Sequence, residues 1–205
     1  LVAVAAGGDL LPRLFQYRFA NGEGLSGHSF GNLFLTALTG ITGDFYQAIL
    51  TAESVLSVRG KILPATLQDV RLRARGRSGR TYEGESAIGL AGEALAALEK
   101  LPPRAPAFPA AVEAILEADL VVLGPGSLYT SILPNLLIPA IREAIGSTRA
   151  RVVLALNLMT QPGETDEMTG LEHLAAVEAR LGPGAIDVVL ASSTTLPEEP
   201  LRIYR

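Results

Sequence analysis

The sequence predicts an α/β fold in which the strands of a parallel sheet alternate with helices. Three short apolar segments lie in the second half of the chain, at residues 119–123, 151–156 and 186–190. Two segments with helical spacing of apolar residues separate them, at residues 134–145 and 169–181. Connections of this kind produce parallel strands with right-handed crossovers. A small β-hairpin insertion is predicted upstream of this sheet.

The N-terminal part of the chain is predicted to be helical. Asp9 can cap a first helix. Ser29 caps an apolar helix over about residues 30–41, and Asp44 caps another over about residues 45–58. The apolar faces of the last two helices are wide, which predicts that both helices are buried.

The hairpin is predicted from alternation of apolar and charged residues. Residues 70–75 alternate in this way, residues 76–79 form a turn, and residues 81–88 return as the second strand. The outer face and turn carry Arg71, Arg73, Arg75, Arg77 and Arg80. Such a row can bind anions, but a solvated face is the commoner role of surface charges and is favoured here.

The segment between the hairpin and the first apolar strand is ambiguous. Residues 93–100 are rich in Ala, Leu and Glu, so intrinsic propensity predicts a helix. Several prolines between Pro102 and Pro109 then indicate a linker-like stretch, and residues 110–117 are predicted to form a helix.

Composition and charge exclude several classes of protein. Apolar residues make up 48% of the 205 residues, yet no apolar run reaches the roughly 18 residues that a membrane span needs. The net charge of −4 argues against a nucleic-acid surface, which needs a basic excess. The absence of cysteine excludes disulfides and thiolate chemistry, and it fits a cytoplasmic protein. The apolar start at Leu1 predicts that the true N-terminus is missing.

The loop at residues 124–131 follows the first apolar strand, and open parallel sheets bind ligands at such positions. Its glycines let the backbone approach a ligand, and free N–H groups at the start of the next helix attract anions. The candidate nucleotide-binding residues in this loop are Gly124, Gly126, Ser127, Tyr129 and Thr130. Because the loop lacks the third glycine of a dinucleotide fingerprint and the lysine of a P-loop, an ordinary strand-to-helix turn is the alternative.

The loop at residues 157–166 follows the second apolar strand and is dense in amides, hydroxyls and carboxylates. Such groups can bind a base, a ribose or a sugar. The candidate binding residues here are Asn157, Thr160, Gln161, Glu164 and Thr165. Glu164 and Asp166 can also hold a divalent metal or act as acid and base, whereas helix capping is the alternative role for this loop.

The chain contains two histidines, His28 and His173. His28 lies in a glycine-rich segment with Asn32, and both are candidate ligand contacts; a loop histidine bonded to backbone is the alternative. No catalytic residue is assigned, and His28 and Asp166 are the candidates. His173 lies in the middle of a predicted helix without a partner motif and is interpreted as structural.

Five strings give the chain a family resemblance. They are GLSGHSFGN at residues 24–32, VRGKILPA at 58–65, GES at 84–86, GPGSLYTSILPN at 124–135 and NLMTQPGETD at 157–166. In this order they resemble the gluconeogenesis factor family, which is related to the 2-phospho-L-lactate transferases of deazaflavin coenzyme synthesis. The similarity runs along nearly the whole chain.

The resemblance implies a Rossmann-like three-layer sandwich and a cytoplasmic bacterial protein. It also implies a UDP-sugar ligand, with UDP-N-acetylglucosamine or UDP-glucose favoured, and a role in cell shape and in growth on gluconeogenic carbon sources. No established reaction comes with it. The resemblance further implies that residues 93–100 form a strand leading into Pro102, against the propensity of the segment.

The chain departs from the family pattern in two places. The N-terminal strand, its glycine-rich turn and the aspartate-rich segment of the family are absent, so no metal ligand is assigned within this chain. A divalent metal is expected only through that missing segment. Met168 replaces a usual tyrosine. The chain is therefore interpreted as a single nucleotide-binding domain over residues 1–205, incomplete at the N-terminus and short at the C-terminus.

The favoured function is that of a regulatory protein that binds a small-molecule nucleotide-sugar. No nucleic-acid or membrane partner is expected, and a homodimer is left open. The first alternative is a transferase that moves a phospholactyl group onto a deazaflavin. Residues 126–129 differ from the string of those transferases, which favours the regulatory protein. An NAD-binding protein is the second alternative, although the dinucleotide fingerprint is missing.

Overall fold

The computed structural model describes residues 10–22, 24–25, 27–56 and 59–194. The chain divides into two compact units, Leu1–Leu67 and Gln68–Arg205. The predicted helix boundaries at Asp9 and Val58 lie outside the described residues. None of the helices in the described ranges is long and apolar enough to cross a bilayer.

The first unit is helical, as predicted. Its helices are α1 (Leu10–Gln16), α2 (Phe30–Thr42) and α3 (Phe45–Leu56). Ser29 Oγ caps α2 by accepting a hydrogen bond from the Asn32 amide at 3.2 Å. Asp44 Oδ1 caps α3 by accepting one from the Gln47 amide at 2.8 Å. Both caps are confirmed, and each satisfies an amide that has no partner within the first helical turn.

The predicted burial is right for α3 and wrong for α2. In α3 the fully buried residues are Ala48, Ile49, Ala52 and Leu56, whereas α2 has none. Phe30 and Phe34 of α2 pack edge-on against the buried ring of Phe15, with ring centroids 5.4 and 5.0 Å away. The apolar side of α2 is therefore wider than the surface that its neighbours cover.

The second unit contains a small antiparallel sheet with the strand order β2–β1–β3. These strands are β1 (Arg71–Gly76), β2 (Thr81–Glu83) and β3 (Leu95–Leu101). The predicted hairpin of β1 and β2 is confirmed, but its second strand stops at Glu83 instead of continuing to residue 88. Gly84 has φ 84° and turns the chain into a short helix, α4 (Glu85–Gly89).

Strand β3 replaces the helix that propensity predicts over residues 93–100. It pairs antiparallel with β1 and buries Leu95 and Leu98. Helix propensity is a weak preference, and cross-strand pairing with burial outweighs it here. The strand that the family resemblance implies is therefore confirmed.

The arginines of β1 form a solvated face. Arg73 lies between two carboxylates on the neighbouring strands, 2.7 Å from Glu83 and 3.5 Å from Glu99. Arg71 and Arg75 are exposed. Surface ion pairs of this kind stabilise a fold by at most about 1 kcal/mol, so the pairs of Arg73 contribute little to stability.

A parallel sheet with the strand order β4–β5–β6 confirms the main prediction. Its strands are β4 (Leu120–Leu123), β5 (Arg151–Ala155) and β6 (Val188–Leu190). Val122 lies opposite Val153, which in turn lies opposite Val188. The central strand is the most buried, because Val152, Val153 and Leu154 are all covered.

The helices of the second unit mostly follow the prediction. They are α5 (Pro109–Leu116), α6 (Leu133–Leu136), α7 (Pro139–Ser147) and α8 (Gly170–Leu181), with a π-helical turn (Leu128–Ile132) directly before α6. The single helix predicted over residues 134–145 is interrupted between α6 and α7. Ile138 is extended because the proline that follows it disfavours helical backbone there.

Candidate functional site

Both predicted binding loops lie at one edge of the parallel sheet. Residues 124–131 leave the carboxyl end of β4, and residues 157–166 leave the carboxyl end of β5. These two strands are adjacent and parallel. Ligands of open parallel sheets bind at this edge, so the predicted residues of both loops come together where a site is expected.

Asn157 joins the two loops through two hydrogen bonds with the backbone of Gly126. The Gly126 N–H donates to Asn157 Oδ1 at 2.8 Å, and Asn157 Nδ2 donates to the Gly126 carbonyl at 2.9 Å. The Gly126 N–H is therefore already paired and is not among the free donors of this loop. Close approach of the Gly126 backbone to a nucleotide stays a prediction.

A second connection between the loops is a network that we call the loop latch, formed by Ser127, Thr130, Gln161 and Glu164. The Ser127 hydroxyl donates to Glu164 Oε2 at 2.5 Å. The Thr130 amide and hydroxyl both donate to Ser127 Oγ, at 3.0 and 2.6 Å. Gln161 Nε2 donates to the other Glu164 oxygen at 3.0 Å. Ser127 thus uses its full hydrogen-bonding capacity inside the protein.

Glu164 is an unusual member of this latch because it is only 3% exposed. Its partners are a hydroxyl and an amide, and within the described ranges no Lys or Arg forms a salt bridge with it. Burying a carboxylate with only neutral donors costs stability. Groups held at such a cost are candidates for a functional role.

Thr165 and Asp166 support the turn of their own loop. The Gln161 amide donates to Thr165 Oγ1 at 2.8 Å, and the Gly163 amide donates to Asp166 Oδ2 at 2.7 Å. Thr165 is fully buried, while Asp166 is exposed. Both side chains therefore bond to backbone near a turn, close to the capping role weighed for them.

Three backbone N–H groups at the start of the π-helical turn are unpaired. The N–H groups of Ser127, Leu128 and Tyr129 have no acceptor in the part of the chain that the structure describes. Such groups attract anions at the start of a helix. Tyr129 is half-buried, and burial raises the pKa of its phenol, which keeps the hydroxyl protonated at neutral pH.

A cavity of about 590 Å³ opens beside the loop latch. We call it the charged cavity; its charged lining residues are Arg77, Glu93, Glu164, Asp166, Glu167 and Glu172. The excess of carboxylates disfavours a phosphate at this position. Among the described residues no group of three or more Asp, Glu or His side chains could hold a metal ion, so the structure does not add support to the metal role considered for Glu164 and Asp166.

Glu93 binds the hairpin turn from the rim of the charged cavity. Its carboxylate accepts hydrogen bonds from the Ser78 amide at 2.8 Å, the Ser78 hydroxyl at 2.6 Å and the Tyr82 hydroxyl at 2.7 Å. These bonds, the Ser78 hydroxyl first, lower the pKa of Glu93 from 4.5 to about 2. The same carboxylate raises the pKa of Tyr82.

The depressed pKa of Glu93 predicts how stability depends on pH. The folded-state pKa lies below the unfolded value of 4.5, so the stabilisation is complete above that pH and is lost as the pH falls toward 2. Melting temperatures of the wild type and Glu93→Gln should therefore differ at about pH 6, and the difference should narrow steadily as the pH falls from about 4.5 toward 2. Glu113→Gln, at an exposed position of α5, is the control. A gap that stays constant over this range would contradict the prediction.

A smaller cavity of about 260 Å³ lies at the carboxyl ends of β5 and β6. Asn157, Thr160, Met168, His173 and Ser192 are among the residues that line it. We call it the neutral cavity, because no Asp, Glu, Lys or Arg lines it. His173 thus lines a cavity at the carboxyl ends of the parallel strands, which its place in the middle of a predicted helix does not indicate.

His28 and Asn32 belong to the first unit, and both are exposed. The His28 amide donates to the Leu25 carbonyl at 3.0 Å, and its own carbonyl accepts from the Phe19 amide at 3.0 Å. Asn32 donates to the capping hydroxyl of Ser29. The ligand contacts considered for these two residues stay predictions.

Comparison with known proteins identifies relatives of the whole chain. A family model described as 2-phospho-L-lactate transferase CofD matches residues 1–205. The gluconeogenesis factor of Bacillus subtilis (strain 168) is 45% identical over 204 residues, which cover 100% of this chain and 64% of that protein. A Nostoc sp. (strain PCC 7120) protein that carries the gluconeogenesis factor name is 52% identical over 205 residues, 100% of this chain and 45% of that protein.

A crystal structure of a Bacillus halodurans protein has the same fold. The two superpose with a TM-score of 0.87 at 43% identity, covering 99% of this chain and 66% of that one. This chain therefore spans about half to two thirds of the length of the relatives it matches. The match of the family model over all residues and the identity to these relatives lead to one conclusion: the chain belongs to the family described as 2-phospho-L-lactate transferase CofD, alongside the gluconeogenesis factors.

Proposed function

We propose that this chain binds a nucleotide-sugar, with a UDP-sugar preferred, on the Rossmann-like fold that its family resemblance implies. One observation carries the proposal. The two loops at the carboxyl ends of β4 and β5 are tied together while three backbone N–H groups, those of Ser127, Leu128 and Tyr129, stay unpaired. A rigid edge with unused N–H donors suits the diphosphate of a nucleotide.

The charges around the loop latch indicate which part of the ligand binds where. The charged cavity disfavours a phosphate, but its carboxylates can accept hydrogen bonds from the hydroxyls of a sugar. The neutral cavity lies at the carboxyl ends of β5 and β6. The Asn157 side chain, which lines this cavity, bonds to the backbone of Gly126 in the other loop. We therefore propose the sugar at the charged cavity and the diphosphate at the start of the π-helical turn.

In this proposal the protein acts as a regulator in the cytoplasm and responds to the level of its ligand. The gluconeogenesis factor name of its relatives supports a link to growth on gluconeogenic carbon sources. A role in cell shape is proposed from the same resemblance. The catalytic candidates His28 and Asp166 are not needed for this function.

A transferase is the second candidate because the matching family model carries that description. Such an enzyme would move a phospholactyl group from guanylyl lactyl diphosphate to a deazaflavin hydroxyl, breaking the diphosphate bond and releasing GMP. The buried Glu164 beside the Ser127 hydroxyl is the group best placed to take part in proton transfer. Incubation of the full-length protein with both substrates, followed by mass spectrometry of the deazaflavin, tests for this reaction.

Ligand selectivity tests the proposed function directly. We expect the full-length protein to bind UDP-N-acetylglucosamine at least about tenfold more tightly than GDP or NAD, measured by isothermal titration calorimetry. UDP alone should retain most of the affinity if the N–H groups of Ser127, Leu128 and Tyr129 bind the diphosphate. Tighter binding of GDP would favour the transferase, and tighter binding of NAD would favour a dinucleotide-binding protein.

A further inference from the structure

The neutral cavity contains a polar group without a partner. His173 lines this cavity and is only 8% exposed. Its Nε2 is the one buried side-chain nitrogen or oxygen among the described residues that has no hydrogen-bond partner. Buried polar atoms are nearly always paired in folded proteins, so an unpaired one at a cavity indicates an absent partner.

Helix α8 holds His173 in place. Thr169 and Glu172 form a reciprocal capping box at the start of this helix, and the His173 amide donates to the Thr169 carbonyl at 3.1 Å. Burial lowers the pKa of His173, against a smaller opposing effect of its hydrogen bond to the Thr169 backbone. The imidazole is therefore neutral at pH 7. Because its other ring nitrogen donates to the Thr169 backbone, Nε2 carries no proton and can accept a hydrogen bond from an uncharged donor.

The remaining lining of the neutral cavity suits a flat ring. Leu156, Met159 and Met168 supply apolar walls, while the exposed Thr160 hydroxyl forms no hydrogen bond within the described residues. The volume of about 260 Å³ is smaller than the roughly 300–1,000 Å³ of pockets that enclose drug-sized ligands. The cavity therefore has room for one ring system with apolar faces and a polar edge, and its lack of charged residues excludes a phosphate as the favoured occupant.

Asn157 connects this cavity to the proposed diphosphate site. It lines the neutral cavity, and both polar atoms of its side chain bond to the backbone of Gly126, the residue before Ser127. A ring in the neutral cavity and a phosphate at the Ser127 N–H would thus lie on either side of one residue. A nucleotide has this arrangement of an uncharged ring joined to a phosphate.

We propose that the neutral cavity is a nucleobase pocket and that His173 Nε2 forms a hydrogen bond with the edge of the base. This inference rests on the proposed function and extends it by naming where the base binds. Met168 becomes an apolar wall of the pocket.

The test compares probes with and without a base on the full-length protein. The probes are uridine, UDP and inorganic pyrophosphate, and the variants are His173→Phe, His173→Gln and Leu171→Gln. Leu171 is the control, since it lies on the same helix, is 78% exposed and does not line the cavity. We expect His173→Phe to weaken uridine and UDP binding about three- to tenfold, the equivalent of one hydrogen bond, and to leave pyrophosphate binding unchanged. His173→Gln should recover part of the loss, because its amide can bond to the base.

Other outcomes separate this inference from the proposed function. If UDP binds equally to the wild type and His173→Phe, the base pocket is wrong while the proposed function stands. If pyrophosphate binding falls in parallel with uridine binding, His173 supports the fold and the inference is overturned. If uridine and UDP do not bind at all, the same titrations with adenosine, guanosine and cytidine show whether the cavity binds a different base. Binding of one of these that depends on His173 keeps the pocket and rejects the UDP-sugar, whereas binding of none rejects both.

A further variant covers the case in which His173→Phe does not fold, as judged by its thermal melt. Thr160→Val changes an exposed residue that also lines the neutral cavity and should preserve the fold. We expect it to weaken uridine binding about threefold without changing pyrophosphate binding. Unchanged uridine binding by both Thr160→Val and His173→Gln would overturn the pocket.

Discussion

Gly124→Ala should lower the free energy of unfolding by about 3 kcal/mol. Gly124 has φ 85°, a conformation that costs any residue with a side chain. In addition, a Cβ at this position would lie 2.6 Å from the Ala155 carbonyl oxygen. This oxygen belongs to the backbone of the central strand β5, so the contact cannot be relieved by a side-chain rotation. Urea unfolding of the full-length protein measures the effect.

Gly126→Ala is the matched control, two residues away in the same loop. Gly126 does not have a positive φ, and a Cβ there would lie 3.4 Å from Ser131 Cβ, an ordinary contact. We expect this variant to change stability by less than about 1 kcal/mol. Equal losses in the two variants would show that the loop is merely sensitive to any added side chain.

Glu164→Ala should lower stability by about 2–4 kcal/mol and weaken nucleotide binding in the folded fraction. The substitution removes the acceptor of both the Ser127 hydroxyl and the Gln161 amide, and it leaves a space where a side chain was buried. The Ser127 hydroxyl would then lose its acceptor and keep only the two bonds that it accepts from Thr130, which loosens the start of the π-helical turn. Urea unfolding together with calorimetry on the same protein preparation measures both effects.

Glu164→Gln separates the roles of shape and charge at this position. The glutamine keeps the volume and one acceptor oxygen, and it removes a buried charge that only neutral donors hold. Its stability should lie within about 1 kcal/mol of the wild type. If Glu164→Gln is as unstable as Glu164→Ala, the carboxylate itself is required for folding, and the argument for a functional role of Glu164 fails.

The parallel sheet could be predicted from the sequence because its strands are apolar on both faces. Val152, Val153 and Leu154 form a continuous apolar run, which is typical of a strand covered on both faces. Strand β3 could not be predicted from propensity, because its residues favour a helix until β1 provides the pairing partner. Family resemblance supplied this strand, since it carries information about tertiary structure that local preference lacks.

The candidate site was only partly predictable for a similar reason. Chain order places both loops at strand ends, so their proximity follows from the parallel topology. The pairing of Asn157 with Gly126 and of Ser127 with Glu164 does not, because it depends on the side-chain directions of residues 31 and 37 positions apart. His173 could not be found either, since its burial arises from the packing of α8 on the rest of the second unit.

The loop latch also limits what single substitutions can reveal about this edge of the sheet. Ser127, Thr130, Gln161 and Glu164 share their hydrogen bonds, so removing any one of them changes the partners of the others. Mutational effects within such a network are not additive. A double-mutant cycle between Ser127 and Glu164 measures their coupling, whereas the free-energy change of either single variant belongs to the network as a whole.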